Sequence, residues 1–117
     1  MNNKFQIDIS VVIPCYNEEQ SLRELYERLR TVLEPITAQF ELLFVDDGST
    51  DRSMDILKEL HAQDRRVKVI HFRKNFGKAQ ALSHGFLNCR GEKVVTIDAD
   101  LQDFPEEIPK TVNLTHL

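Results

Sequence analysis

In TIDADLQDFPEE, residues 96 to 107, three aspartates (Asp98, Asp100 and Asp103) fall within six positions at the end of an apolar run. Like charges packed this closely repel one another and lose hydration as they approach a core, so they need a countercharge. The simplest countercharge is a bound cation. Asp98 and Asp100 stand at i and i+2, and in an extended segment that spacing turns both carboxylates to one side. Such a pair suits a hard divalent ion: magnesium holds few protein carboxylates and completes its shell with water and substrate phosphates. A diphosphate leaving group fits that pattern. Asp46 and Asp47, acceptors only when ionised, suit the imide or amine edge of a base and the hydroxyls of a ribose. Arg73 and Lys78 are cations suited to neutralising phosphate charge.

Plainer explanations compete for some of these residues. A helix N-terminus attracts acids, which accounts for Asp103 and rivals ligand contact for Glu18, but leaves Asp98 and Asp100 unexplained. Asp46 and Asp47 precede Gly48 and also fit a simple turn. Arg73 and Lys74 also read as solvated surface. The four histidines, His61, His71, His84 and His116, have no ligand spacing.

The elements that must position these groups alternate regularly. ISVVIPCY (9 to 16) reads as a buried strand. Leu22, Leu25, Tyr26, Leu29, Val32, Leu33 and Ile36 then recur at helical spacing, with Pro35 marking the end. FELLFVDD (40 to 47) is a second strand, and GSTDRS supplies small polar acceptors for the start of a helix carrying Met54, Leu57 and Leu60. VKVIHF (67 to 72) is a third strand, after which Ala79, Leu82, Phe86 and Cys89 mark a third helical face ended by Gly91. EKVVTIDAD (92 to 100) is a fourth strand, and Asp103, Pro105 and Glu106 look like the cap and first turn of a fourth helix.

Strands alternating with helices predict a mostly parallel sheet joined by right-handed crossovers, with helices on both faces. Tyr16, Asn17 and Glu18 follow the first strand, Asp46 and Asp47 end the second, Arg73 and Lys74 follow the third, and Asp98 and Asp100 end the fourth. All four groups therefore share the carboxyl edge of the sheet, outside which open α/β sheets bind ligands. Neither GxGxxG nor GxxxxGK[ST] is present, so no glycine cradle takes the phosphates.

Composition sets the outer limits. A chain of 117 residues, 41% hydrophobic and 29% charged, fits one ordinary globular domain. Its net charge of −4 and lack of a basic stripe argue against nucleic acid as a partner. Cys15 and Cys89 have no CxxC spacing and read as buried thiols of a reducing compartment. The N-terminal MNNKFQIDIS has no signal-peptide core and no apolar run approaches a membrane span, so the expected location is the cytoplasm or the cytoplasmic face of a membrane.

VVIPCYNEE, FVDDGSTD, RKNFGKAQAL and TIDADLQDFPEE, in this order, resemble the N-terminal half of family 2 glycosyltransferases. The likeness is strongest to the polyprenyl-phosphate branch that includes dolichyl-phosphate mannose synthase and bacterial undecaprenyl-phosphate sugar transferases. It covers roughly residues 8 to 110 and is specific, because four separated motifs agree in order and context. It implies a Rossmann-like, A-type glycosyltransferase fold and inverting transfer from a nucleotide-diphosphate sugar, GDP-mannose or a UDP-sugar, assisted by Mg2+ or Mn2+. Matched by position, the resemblance implies that Pro14, Tyr16, Asn17 and Glu18 line the nucleotide pocket and that Asp46 reads the base. Asp98 and Asp100 match the acidic metal and sugar-nucleotide motif, and Gln102 is implied as a further metal-shell residue. Relatives of this kind continue well beyond this length, so residues 1 to 117 are expected to be a truncated, donor-binding half. The half that binds the polyprenyl phosphate acceptor is then absent, and an exposed sheet edge favours association.

Two other classes compete. A phosphoacceptor signalling module also gathers carboxylates at strand ends, but places its acidic pair after the first strand, where this chain has Tyr16, Asn17 and Glu18. A non-catalytic nucleotide-binding remnant would keep the fold and turn nothing over.

Overall fold

The computed structural model describes residues 6–110. Four strands, β1 (Ile7–Cys15), β2 (Phe40–Asp46), β3 (Val67–His71) and β4 (Gly91–Thr96), form one sheet in the order β3-β2-β1-β4. Every pairing is parallel, with Val11 in register with both Leu42 and Val95. The helices between them are α1 (Leu22–Leu33), α2 (Ser53–Gln63) and α3 (Lys78–Asn88). The expected parallel α/β architecture is therefore present.

Burial explains the layering. β1 lies between two neighbours and is buried from Ile9 onward, which is why its sequence is almost continuously apolar rather than alternating. Ile9, Val11, Ile13 and Cys15 on one face meet Leu22, Leu25, Leu29 and Leu33 of α1 and Ile56, Leu57 and Leu60 of α2. Full burial of each such leucine contributes about 2 kcal/mol. On the other face Val45 and Phe72 meet Ala81 of α3. Helices cover both faces of the sheet.

The third helix departs from its expected face. Ala79 and Phe86 are exposed, whereas Ala81 and Gly85 are buried. Small residues are selected there because α3 lies so close to the sheet that a Cβ on Gly85 would overlap the Val12 side chain. Apolar periodicity misplaces a helix whose contact surface is made of alanine and glycine.

Two ends also differ. α1 stops at Leu33, leaving Ile36 outside it and 42% exposed. β4 stops at Thr96, after the Ile97 N–H donates to the Val12 carbonyl, so Asp98 and Asp100 lie in a turn rather than in a strand. The segment after them opens with a 3-10 turn at Pro105–Glu107 that has no side-chain cap, and the expected helix follows from residue 108 to the last described residue, 110. Asp103 does not cap it, because its Oδ2 accepts from the Asp98 N–H at 2.8 Å.

At the amino ends of the strands, buried Ser10 donates to Glu41 Oε2 at 2.6 Å, and the Arg90 N–H donates to the same oxygen at 2.6 Å. A buried carboxylate is tolerated there because its acceptors are used. Among the described residues no helix is long and apolar enough to cross a membrane.

Candidate functional site

In this strand order the chain leaves β1 on one side and returns beside it on the other as β4, so the crossover direction reverses between them. Such a point leaves a crevice at the carboxyl ends of the strands, where α/β sheets hold ligands. A cavity of about 230 Å³ occupies it. Pro14 and Tyr16 line it from the β1 side, Asp47 from beyond β2, Lys78 from the start of α3, and Asp98 and Asp100 from the turn after β4. Glu18, Cys15 and Ala99 complete the wall.

Three loops are laced together to build this wall. Asn17 has a φ of 53° and accepts, through Oδ1, from the Thr50 N–H at 2.7 Å and the Asp51 N–H at 3.2 Å. In return the Asn17 N–H donates to Ser49 Oγ at 2.8 Å and the Glu18 N–H donates to Ser53 Oγ at 2.9 Å. Asp51 binds both sides, accepting from the Ser53 N–H at the start of α2 and from the Glu19 N–H. The loop after β1 is thus held by the loop after β2.

Asp47 makes the second tie. Its two oxygens accept from the Phe76 N–H at 2.8 Å and the Gly77 N–H at 3.0 Å, fixing the turn that presents Lys78. Gly48 permits that approach: its φ is +76°, and a Cβ there would overlap the backbone of Lys74 and Asn75.

The cavity is strongly acidic. Glu18, Asp47, Asp98 and Asp100 face one cation, Lys78, whose Nζ lies 2.6 Å from Asp98 Oδ1. Burial, together with repulsion from Asp100, Asp51 and Asp98, raises the Glu18 carboxyl above its ordinary range, although the Ser21 hydroxyl oxygen lies 3.2 Å from Glu18 Oε2. The hydrogen bond to Asp98 raises the Lys78 ammonium. Burial, then the charge of Asp46, pushes the Cys15 thiol far up, so Cys15 is an inert wall residue rather than a nucleophile.

A divalent ion fits this donor set. Among the described residues no three His, Cys, Asp or Glu side chains converge to hold a metal by themselves. Two carboxylates on one rim are what magnesium-type coordination takes from a protein when phosphates and water supply the remainder. The single lysine leaves the excess of carboxylates uncompensated, so an anionic diphosphate entering here would need a cation with it.

Pro14, Tyr16, Glu18, Asp47, Lys78, Asp98 and Asp100 thus meet at one cavity, and four expected site residues do not line it. Asp46 is fully buried, with Oδ2 2.9 Å from His71 Nδ1 and Oδ1 without a partner among the described residues. Period-two alternation sends it to the same face as Leu42 and Phe44, and Asp47, one residue further, takes the rim. Asn17 is used in loop lacing, and Arg73 is exposed outside the cavity. Gln102 donates its backbone N–H to Asp100 Oδ1 at 3.1 Å and lines a separate cavity with Phe104 and Ile108. Asp98 and Asp100 are not brought together by i, i+2 alternation along a strand, because β4 ends at Thr96 and a turn carries both. Sequence reasoning missed Ser21, whose hydroxyl reaches the Ala99 carbonyl; a serine before an apolar helix signals only a cap.

A parallel sheet covered on both faces, with an acidic cavity at its switch point, is part of an A-type glycosyltransferase fold, the fold of the solved structures it resembles. The chain belongs to glycosyl transferase family 2, whose pattern it matches over residues 10–116. It is 46% identical over 105 residues to the undecaprenyl-phosphate 4-deoxy-4-formamido-L-arabinose transferase of Pseudomonas fluorescens, covering 89% of this chain and 31% of that protein. Among solved structures it resembles S. aureus TarS 1–349 in complex with UDP, with a TM-score of 0.78 and 26% identity over 94% of this chain and 32% of that one. It also resembles the mannosyltransferase PcManGT of Pyrobaculum calidifontis in complex with GDP-Man and Mn2+, with a TM-score of 0.72 and 25% identity over 83% of this chain and 28% of that one. The chain spans about a third of the length of the curated relatives it matches.

Proposed function

We propose that residues 1 to 117 form the donor-binding portion of an inverting, metal-dependent glycosyltransferase that moves a sugar from a nucleoside diphosphate to a polyprenyl phosphate. The observation that carries this reading is the cavity at the β1/β4 switch point, where four carboxylates face one lysine. It is supported by the UDP bound to TarS, by the GDP-Man and Mn2+ bound to PcManGT, and by the undecaprenyl-phosphate transferase named among the relatives. Acceptor binding is assigned to the part of the relatives that this chain does not cover.

In this reading Asp98 and Asp100 hold Mg2+ or Mn2+, which when bound neutralises charge developing on the departing diphosphate. Pro14, Tyr16 and Glu18 border the nucleoside, and Asp47 offers acceptor oxygens at the same rim. Lys78, freed from Asp98, turns its ammonium to the phosphates. A lipid phosphate acceptor is already anionic near neutral pH, so the site needs no strong general base. The free cysteines Cys15 and Cys89 suit a cytoplasmic face.

Calorimetry with UDP- and GDP-sugars, with and without Mn2+ or Mg2+, tests the proposal. Metal-dependent binding is expected, and its complete absence would overturn the reading. Binding without sugar transfer, under conditions where a full-length relative transfers sugar, would instead mark a non-catalytic remnant.

A further inference from the structure

Ser21 stands at the N-cap of α1, where a serine ordinarily accepts from the second or third N–H of its own helix. It makes no such bond. Its hydroxyl instead donates to the carbonyl of Ala99 at 2.6 Å, across 78 positions of sequence. Both partners are buried, Ser21 at 8% exposure and Ala99 at 3%. Ala99 is the residue between Asp98 and Asp100, and its side chain packs in the main core. The turn is thus held from below at one residue while its two neighbours project carboxylates into the cavity.

The rest of the turn shows why such an anchor matters. Leu101 has a φ of 65°, a left-handed conformation that a leucine adopts only when its surroundings impose it. Asp103 Oδ2 and Asp100 Oδ1 accept from the Asp98 and Gln102 N–H groups, so these bonds close the turn on itself without tying it to the body of the protein. The Ser21 bond ties it to α1. The same hydroxyl oxygen lies 3.2 Å from Glu18 Oε2, so one side chain touches carboxylate-bearing segments from both sides of the crevice.

We propose that Ser21 is a positioning residue that sets divalent-ion affinity by holding the Asp98–Asp100 turn in its binding geometry. The inference rests on the donor-binding reading above and names a residue that acts through the backbone rather than by touching the ion. Removing the hydroxyl leaves the buried Ala99 carbonyl without its donor, and the turn then relaxes toward water to satisfy it.

The test is calorimetry of Mn2+ with UDP present, on the wild-type chain and on Ser21→Ala, Ser21→Thr and Ser10→Ala. Ser10 is a buried, hydrogen-bonded serine at the opposite end of the sheet and controls for general loss of stability. Ser21→Ala is expected to weaken Mn2+ binding about tenfold. Ser21→Thr, which keeps the hydroxyl, should restore it, and Ser10→Ala should lower the melting temperature at unchanged Mn2+ affinity. Undiminished Mn2+ affinity in Ser21→Ala would overturn the inference, as would an equal loss in Ser10→Ala. If the wild-type chain itself shows no Mn2+-dependent binding, the donor-binding reading falls and this inference with it. A ligand-free measurement tests the anchor separately: hydrogen exchange at the Asp98 and Gln102 amides should accelerate about tenfold in Ser21→Ala and recover in Ser21→Thr. Unchanged exchange overturns the anchoring role whatever the ligand result. Should Ser21→Ala fail to fold, Ser21→Cys, with its weaker donor, takes its place.

Discussion

The ammonium of Lys78 lies 2.6 Å from Asp98 Oδ1, so the one lysine of the acidic cavity neutralises one of the carboxylates assigned to the metal. The two cations compete for one oxygen. Lys78→Gln should therefore strengthen Mn2+ binding by the nucleotide-free chain about threefold and weaken UDP binding in the presence of Mn2+. Calorimetry in both states checks the opposite signs, and loss of both affinities together would refute the exchange.

Asp98→Asn and Asp100→Asn each keep shape and remove charge. Each should reduce Mn2+-dependent UDP binding by more than about tenfold with little change in melting temperature, because both side chains reach solvent. Mn2+ titration with thermal denaturation as a control separates the two effects.

Asp47 holds the Phe76 and Gly77 amides with two charged acceptor oxygens. Asp47→Asn leaves one acceptor and no charge, so hydrogen exchange at those amides should rise and nucleotide affinity fall about tenfold as the Lys78 turn loosens. Exchange measured residue by residue provides the check.

Gly48→Ala places a Cβ at a φ of +76°, against the backbone of Lys74 and Asn75. The expected cost is about 2 kcal/mol or more, read by urea denaturation. Nucleotide affinity should fall in the same variant, because the displaced segment leads into Lys78.

Asp64 is a stability switch far from the cavity. Its hydrogen bonds with Arg66, and further with Tyr26, hold its carboxyl down at about 2 from an ordinary 3.8, and its side chain is 9% exposed. A depressed carboxyl stabilises the fold fully above its unfolded value and loses that contribution as pH falls through the folded one. About 2 kcal/mol should therefore disappear between roughly pH 4 and pH 2. Urea denaturation across that range should show the loss, and Asp64→Asn should start lower and flatten the slope.

Much of the fold was legible because burial writes itself into residue type. The unbroken apolar run of β1 and the leucines of α1 can satisfy only a central strand and a covering helix. α3 was legible as a helix but not in its orientation, since Ala81 and Gly85 bury a surface too small for apolar periodicity to register. The DDGSTD run shows the same limit at the site. Its composition admits a turn or a ligand contact equally, and the structure uses Asp51 and Gly48 for lacing, sends Asp46 inward toward His71 and gives only Asp47 to the cavity rim.

From the chain alone came the alternation of strands and helices, the carboxyl edge on which the polar groups gather, and the acidic excess that demands a cation. These depend on local periodicity and charge, which are properties of neighbouring residues. Only the folded chain decided which side chains share the cavity, because that depends on where β4 stops, how far α3 approaches the sheet and which hydroxyl reaches across 78 positions to the Ala99 carbonyl. Contacts between distant segments are set by packing, and packing leaves no fixed spacing to read.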